Sequence, residues 1–142
     1  MATKKKKFFL RLDSKSSNLK LIRGFISQVA DEAGFDEEDI NKIELAVDEA
    51  CSNVVKHAYP VDRSRTIGVE AVYDEKIFKV IVFDHGKGFD PGKFPQTDMK
   101  TYLQKYEVGG LGIHLMKSLM DEVEYNINPG KTNKVILKKF RK

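Results

Sequence analysis

The chain has 142 residues, 41% hydrophobic and 32% charged, with a formal net charge of +4. That length makes one domain able to bury about two-thirds of the surface its unfolded form exposes, and a single cysteine, Cys51, leaves no intramolecular disulfide to staple it. No apolar run approaches membrane-spanning length, the basic start before Phe8-Phe9-Leu10 is too short for a signal segment, and the terminal lysines lack an aromatic and basic recognition module; the expectation is a cytoplasmic protein that contacts neither membrane nor nucleic acid directly.

After a basic extension over residues 1–7, Phe8 to Asp13 alternates with Phe8, Leu10 and Leu12 on one side and reads as a strand. Ser16-Ser17-Asn18 offers capping oxygens to a helix whose stripe is Leu19, Ile22, Ile26, Val29 and Ala33, with Gly34 as its stop. Asp36-Glu37-Glu38-Asp39 is capping-box-like and opens a second helix with Ile40, Ile43, Val47, Ala50 and Val54 on its apolar face, ended by Pro60. On another side of that helix Glu49, Asn53 and His57 stand four apart. A carboxylate and an amide oxygen one turn apart can share a magnesium ion or an ordered water, and the carboxylate can take a proton from it. The same spacing also fits a solvated polar face.

Ile67, Val69, Ala71 and Tyr73 alternate as a second strand, and Asp74-Glu75 turns it into a third from Lys76 to Phe83. That strand runs into Asp84-His85-Gly86-Lys87-Gly88-Phe89. Two glycines in alternate positions let a ligand approach the backbone, and Asp84 offers an acceptor to an exocyclic amine, although a plain turn has the same residues. From Asp90 to Val108 there is little core pattern, as in lids or disordered loops. Gly109-Gly110-Leu111-Gly112 then opens a helix with Leu115, Met116, Leu119, Met120 and Val123 as its stripe, and a glycine-rich helix entry is a phosphate cradle. Strands from about Val123 to Ile127 and Lys134 to Phe140 close the chain around the Asn128-Pro129-Gly130 turn. The order predicts an α+β fold, a two-layer α/β sandwich in which a mixed, mostly antiparallel sheet carries helices on one face. Neither a Walker loop nor Gly-x-Gly-x-x-Gly after the first strand occurs.

In this order and at this spacing the three clusters resemble the ATP site of the GHKL ATPase and kinase superfamily. Glu49-x-x-x-Asn53 with His57-Ala58-Tyr59 is similar to its N box, Asp84-x-Gly86-x-Gly88-Phe89 to its G1 box, and Gly110-Leu111-Gly112 to its G2 box. The small size, the His-Ala-Tyr ending, the short lid and Leu119-Met120-Asp121-Glu122-Val123 look like the anti-sigma factor serine/threonine kinases of bacterial partner switching, whose first helix is also matched by Asn18 and Arg23. The resemblance runs from about residue 8 to 140, so residues 1–142 are expected to form a single histidine-kinase-like ATP-binding domain.

The resemblance implies ATP and Mg2+ as cofactors. Asn53 would be the magnesium ligand and Glu49 the catalytic base; Asp84 would accept from the adenine amine, with Gly86 and Gly88 making room for the base. Gly110, Leu111 and Gly112 would hold the phosphates under a lid that orders on binding, and Thr132 would reach the adenine side, in a Gly130-Lys131-Thr132 register that departs from the family's Gly-Thr pair. His57 would be a packed helix-end residue. Val108 stands where some family kinases carry an arginine, which puts phosphotransfer in question, and Lys105 is the candidate substitute. The implied partners are an anti-anti-sigma protein of the STAS type, a sigma factor for which Arg23 is a candidate contact, and a second copy of the chain. Two other functions stay open: a nucleotide- and partner-binding module without phosphotransfer, and the ATPase half of a split histidine kinase.

Overall fold

The computed structural model describes residues 5–58, 65–85, 111–128 and 131–141. Its strands are β1 (Lys6–Asp13), β2 (Thr66–Tyr73), β3 (Ile77–Asp84), β4 (Glu122–Asn126) and β5 (Asn133–Phe140), and its α-helices are α1 (Leu19–Glu32), α2 (Glu37–Asn53) and α3 (Leu111–Leu119). The strands form one sheet in the order β1-β2-β3-β5-β4. The mostly antiparallel sheet expected from the sequence is antiparallel at each of its four pairings.

Strand alternation places every second residue on the helix side. One rung there runs Leu10, Val69, Val82, Val135 and Tyr125, and the next Phe8, Ala71, Val80, Leu137 and Val123. Against this face pack α1 and α2, touching each other as well as β2, β3 and β5. Ile22 and Ile26 of α1, Ile43 and Val47 of α2, and Phe78 of β3 are fully buried between the layers, each contributing about 1.5–3 kcal/mol relative to exposure. The opposite face is more polar, although Phe9 lies across Gly68 and meets Phe83 edge-on at 6.2 Å between centroids. A Cβ on Gly68 would stand 3.1 Å from the Phe9 ring, so the glycine is what lets that ring lie flat on the sheet. Among the described residues no helix is long and apolar enough to cross a membrane.

Helix ends follow the sequence in part. Asp36 caps α2 by accepting from the Asp39 N–H at 2.8 Å, and Gly34 follows α1 with φ 97°, the left-handed turn that a glycine adopts without strain. At the start of α1 the expected capping oxygens are not used. A 3-10 turn, Ser16–Asn18, precedes the helix, and Asn18 has helical φ and ψ rather than the extended backbone a capping residue needs. Its amide instead donates to the Asp13 carbonyl at 2.8 Å, tying the helix to the end of β1. Met116 in α3 and Met120 just beyond it are buried as expected but Leu115 is 39% exposed, and Val123 belongs to β4 because the helix stops at Leu119.

The far end of the sheet is closed by Arg141. Its guanidinium donates to the Ala33 carbonyl at the end of α1 and to the Asp74 carbonyl in the β2–β3 turn, and lies over the Tyr73 ring at 5.4 Å. Tyr73 in turn donates its hydroxyl to Glu32 at 2.7 Å. Charge-assisted bonds to carbonyls stabilise more than neutral ones. Arg141→Ala is expected to cost about 2–3 kcal/mol, read as a lower urea midpoint with an unchanged slope; Arg141→Lys, which cannot span both carbonyls, should recover less than half of the loss.

Candidate functional site

Asp84 is the last residue of β3 and keeps the parity of Val80 and Val82, so its carboxylate is aimed to the helix side of the sheet rather than to the outer face. It is 7% exposed. Directly across the ladder stands Asn133, the first residue of β5 and 5% exposed. Its Nδ2 donates to Asp84 Oδ1 at 2.9 Å, while its Oδ1 accepts the backbone N–H of Asn128 at 2.8 Å. The next positions outward are also joined. His85 Nδ1 lies 2.8 Å from the Lys131 carbonyl, which requires the hydrogen on Nδ1, and 3.4 Å from Thr132 Oγ1. Thr132 therefore sits beside His85, one place from the residue that meets Asp84. Asn133 is the functional candidate that sequence reasoning missed; the strand start and the register together point to it, and neither is visible in a motif.

The second group of residues lies on α2. Its apolar stripe, Ile43, Ala46, Val47, Ala50 and Cys51, is buried against the sheet, which turns Glu49 and Asn53 to a half-buried flank one turn apart. Regular α-helix ends at Asn53, and the chain continues as a π-helical turn over Val54–Ala58 rather than running unchanged toward Pro60. Such a widened turn re-aims the residues around it and recurs at functional sites. Arg23 of α1 pairs with Asp48 of α2 at 2.9 Å. The backbone of Leu111 and Gly112 lies in the first turn of α3, which packs on α2. Gly86, Gly88, Gly110, Lys105, Val108 and the expected lid from Asp90 to Val108 lie outside the described residues, as does the side chain of His57.

Residues 12–139 match the family of the histidine kinase-like ATPase domain. This chain belongs to that family. It is 36% identical over 128 residues to the serine-protein kinase RsbW of Bacillus licheniformis, covering 87% of this chain and 79% of that one. The serine-protein kinase RsbW of Bacillus subtilis is 37% identical over 117 residues, covering 79% and 72%. Among solved structures, the RsbU and RsbW domains of Rv1364c from Mycobacterium tuberculosis superpose with a TM-score of 0.68 at 19% identity; 95% of this chain is covered but only 32% of that longer one, and the likeness is one of fold. As a histidine kinase-like ATPase domain the chain uses ATP.

Within this ATPase domain Cys51 stands between Glu49 and Asn53 in sequence but belongs to the core. It is fully buried, and burial, reinforced by the Asp48 charge, pushes its thiol far above the ordinary value of 9.0. The folded protein therefore keeps the thiol protonated where the unfolded chain releases the proton, so stability is full below about pH 9 and falls as pH rises beyond it. Urea midpoints measured from pH 8 to 10.5 should decline more steeply for the parent protein than for Cys51→Ala; parallel profiles would rule the thiol out as the cause.

Proposed function

We propose that this ATPase domain is an ATP-dependent serine kinase of the anti-sigma factor type, which phosphorylates a serine of a partner protein and thereby selects the partner it holds. The observation that carries the reading is the buried acceptor at the end of β3: Asp84, bonded by Asn133, is a carboxylate of the kind an exocyclic amine of adenine would donate to. The similarity to serine-protein kinases over most of both chains supports the same reaction. The partners of this reading are an anti-anti-sigma protein of the STAS type as phosphoacceptor, a sigma factor as the alternative ligand, and a second copy of the chain, all in the cytoplasm.

In the transfer step the serine oxygen forms a bond to the γ-phosphorus as the bond to the β,γ-bridging oxygen breaks. ADP leaves with that electron pair, and the hydroxyl proton passes to the Glu49 carboxylate. Among the described residues no three His, Cys, Asp or Glu side chains converge on one point. The Asn53 amide oxygen on α2 suits magnesium, a hard ion that keeps most of its shell as water and phosphate oxygens. Asn53 would hold it there, and bound magnesium would neutralise the phosphate charge. Gly86 and Gly88 would admit the base, and Gly110 would join Leu111 and Gly112, which lie in the first turn of α3, in presenting N–H groups to the phosphates.

Glu49→Gln should leave ATP affinity within about threefold while lowering phosphate transfer to the partner serine by about 10²–10⁴-fold, scored as acid-stable phosphoserine. Full transfer by this variant removes Glu49 as the base; in the parent protein, an acid-labile phosphohistidine selects a split histidine kinase, and ATP binding without any transfer selects a plain binding module. Asn53→Ala should remove most of the gain in ATP affinity that magnesium brings, measured by calorimetry with and without the ion; an unchanged gain would move the ligand elsewhere.

A further inference from the structure

We infer that Asn133 is the positioning residue for base selection: its carboxamide fixes the Asp84 carboxylate as an oriented acceptor, and so makes the site prefer a purine with an exocyclic amine over one with a ring carbonyl at that position. The inference rests on the ATP reading above.

Three observations carry it. The inner face of the β3–β5 ladder is apolar at Val80–Leu137 and Val82–Val135, and then changes abruptly to Asp84–Asn133, with both residues almost fully enclosed. A well-packed apolar pair would serve stability at that rung equally well, since paired polar groups gain little over hydrophobic ones of similar size once desolvation is counted. The polar rung therefore answers to something besides folding. Second, the orientation of the Asn133 amide is decided by its partners. The Asn128 N–H can only donate, so it faces Oδ1, which leaves the NH2 group for the carboxylate. An apolar residue at 133 could neither donate to the carboxylate nor accept from Asn128. Third, the bond is made to one named oxygen at 2.9 Å, and the opposite side of Asn133 is anchored to backbone, so the carboxylate plane is set before any ligand arrives. A carboxylate that accepts only, held in this way, meets an amine with a donor. A ring carbonyl would present acceptor to acceptor and leave both without a bond, which costs about tenfold to a hundredfold in affinity.

The test compares ATP with inosine triphosphate, which carries a carbonyl where adenine carries its amine. Dissociation constants are measured for the parent chain, Asn133→Leu, Asp84→Ala and the double variant, with thermal melting to confirm folding. Asn133→Leu keeps the approximate size but removes the donor without setting a second carboxyl group against Asp84. The parent should prefer ATP by tenfold or more, Asn133→Leu should reduce that preference to threefold or less, and adding it to Asp84→Ala should change affinity by less than twofold. Retention of the parent preference by a folded Asn133→Leu overturns the inference, as does a full further loss in the Asp84→Ala background, which would mark a purely structural role. If Asn133→Leu fails to fold, Asn133→Ala carries the same expectations. A parent chain that binds neither nucleotide overturns the ATP reading itself, and is seen before any variant is compared.

Discussion

A carboxylate at the rim of an apolar core persists only if a donor meets it, and in this chain sheet register supplies both the aim and the donor. Because Val80 and Val82 face the helices opposite Leu137 and Val135, the next residue of the same parity, Asp84, must face them too, opposite Asn133. A slip of one residue in the β3–β5 pairing would send the whole apolar set to the outer face, so the hydrophobic alternation that drives folding also fixes the direction of the carboxylate. The register is thus held by many buried side chains, while the polar pair contributes orientation rather than energy.

The same logic places the second group. Burial of Ile43, Val47 and Ala50 against β3 and β5 rotates α2 so that Glu49 and Asn53 are left on a half-buried flank. Their spacing alone guarantees only that they share a side of the helix. What distinguishes that side from an ordinary solvated face is that Asn53 is the last residue of regular helix before the π-helical turn Val54–Ala58. Widening a helix disturbs its hydrogen bonding, and turns of this kind recur at functional sites.

Much of this was legible in residue order. Alternation gave β1, β2 and β3, three- and four-residue steps gave the buried faces of α1 and α2, and Asp36 and Gly34 marked helix ends by mechanisms that act within a few residues. Asp84 could be singled out for the same reason, as a polar residue ending an apolar strand before glycines. Asn133 could not, because its partner lies 49 residues away and the pairing depends on where β5 begins. The family resemblance pointed to Thr132 instead, which the register sets beside His85. Arg141 was equally hidden. Near the end of a basic tail it reads as one more solvated charge, yet it reaches carbonyls at Ala33 and Asp74, 108 and 67 residues away. The pattern in these misses is consistent: local rules reach as far as one element, and contacts set by long-range register lie beyond them.

That geometry also separates stability from selection within one strand. Arg141 grips the turn from which β3 departs, and Asp84 ends the strand. Seven residue steps at about 3.3 Å each set the two roughly 23 Å apart. Groups that distant, with no shared partner, act nearly additively. The clasp at one end of β3 is free to carry the fold's cohesion, and the polar pair at the other is free to be chosen for what it recognises. The intervening positions, Phe78, Val80 and Val82, are fully buried and give the strand the rigidity that both ends require. A site placed at the end of such a strand inherits the precision of the core without drawing on the interactions that keep the chain folded.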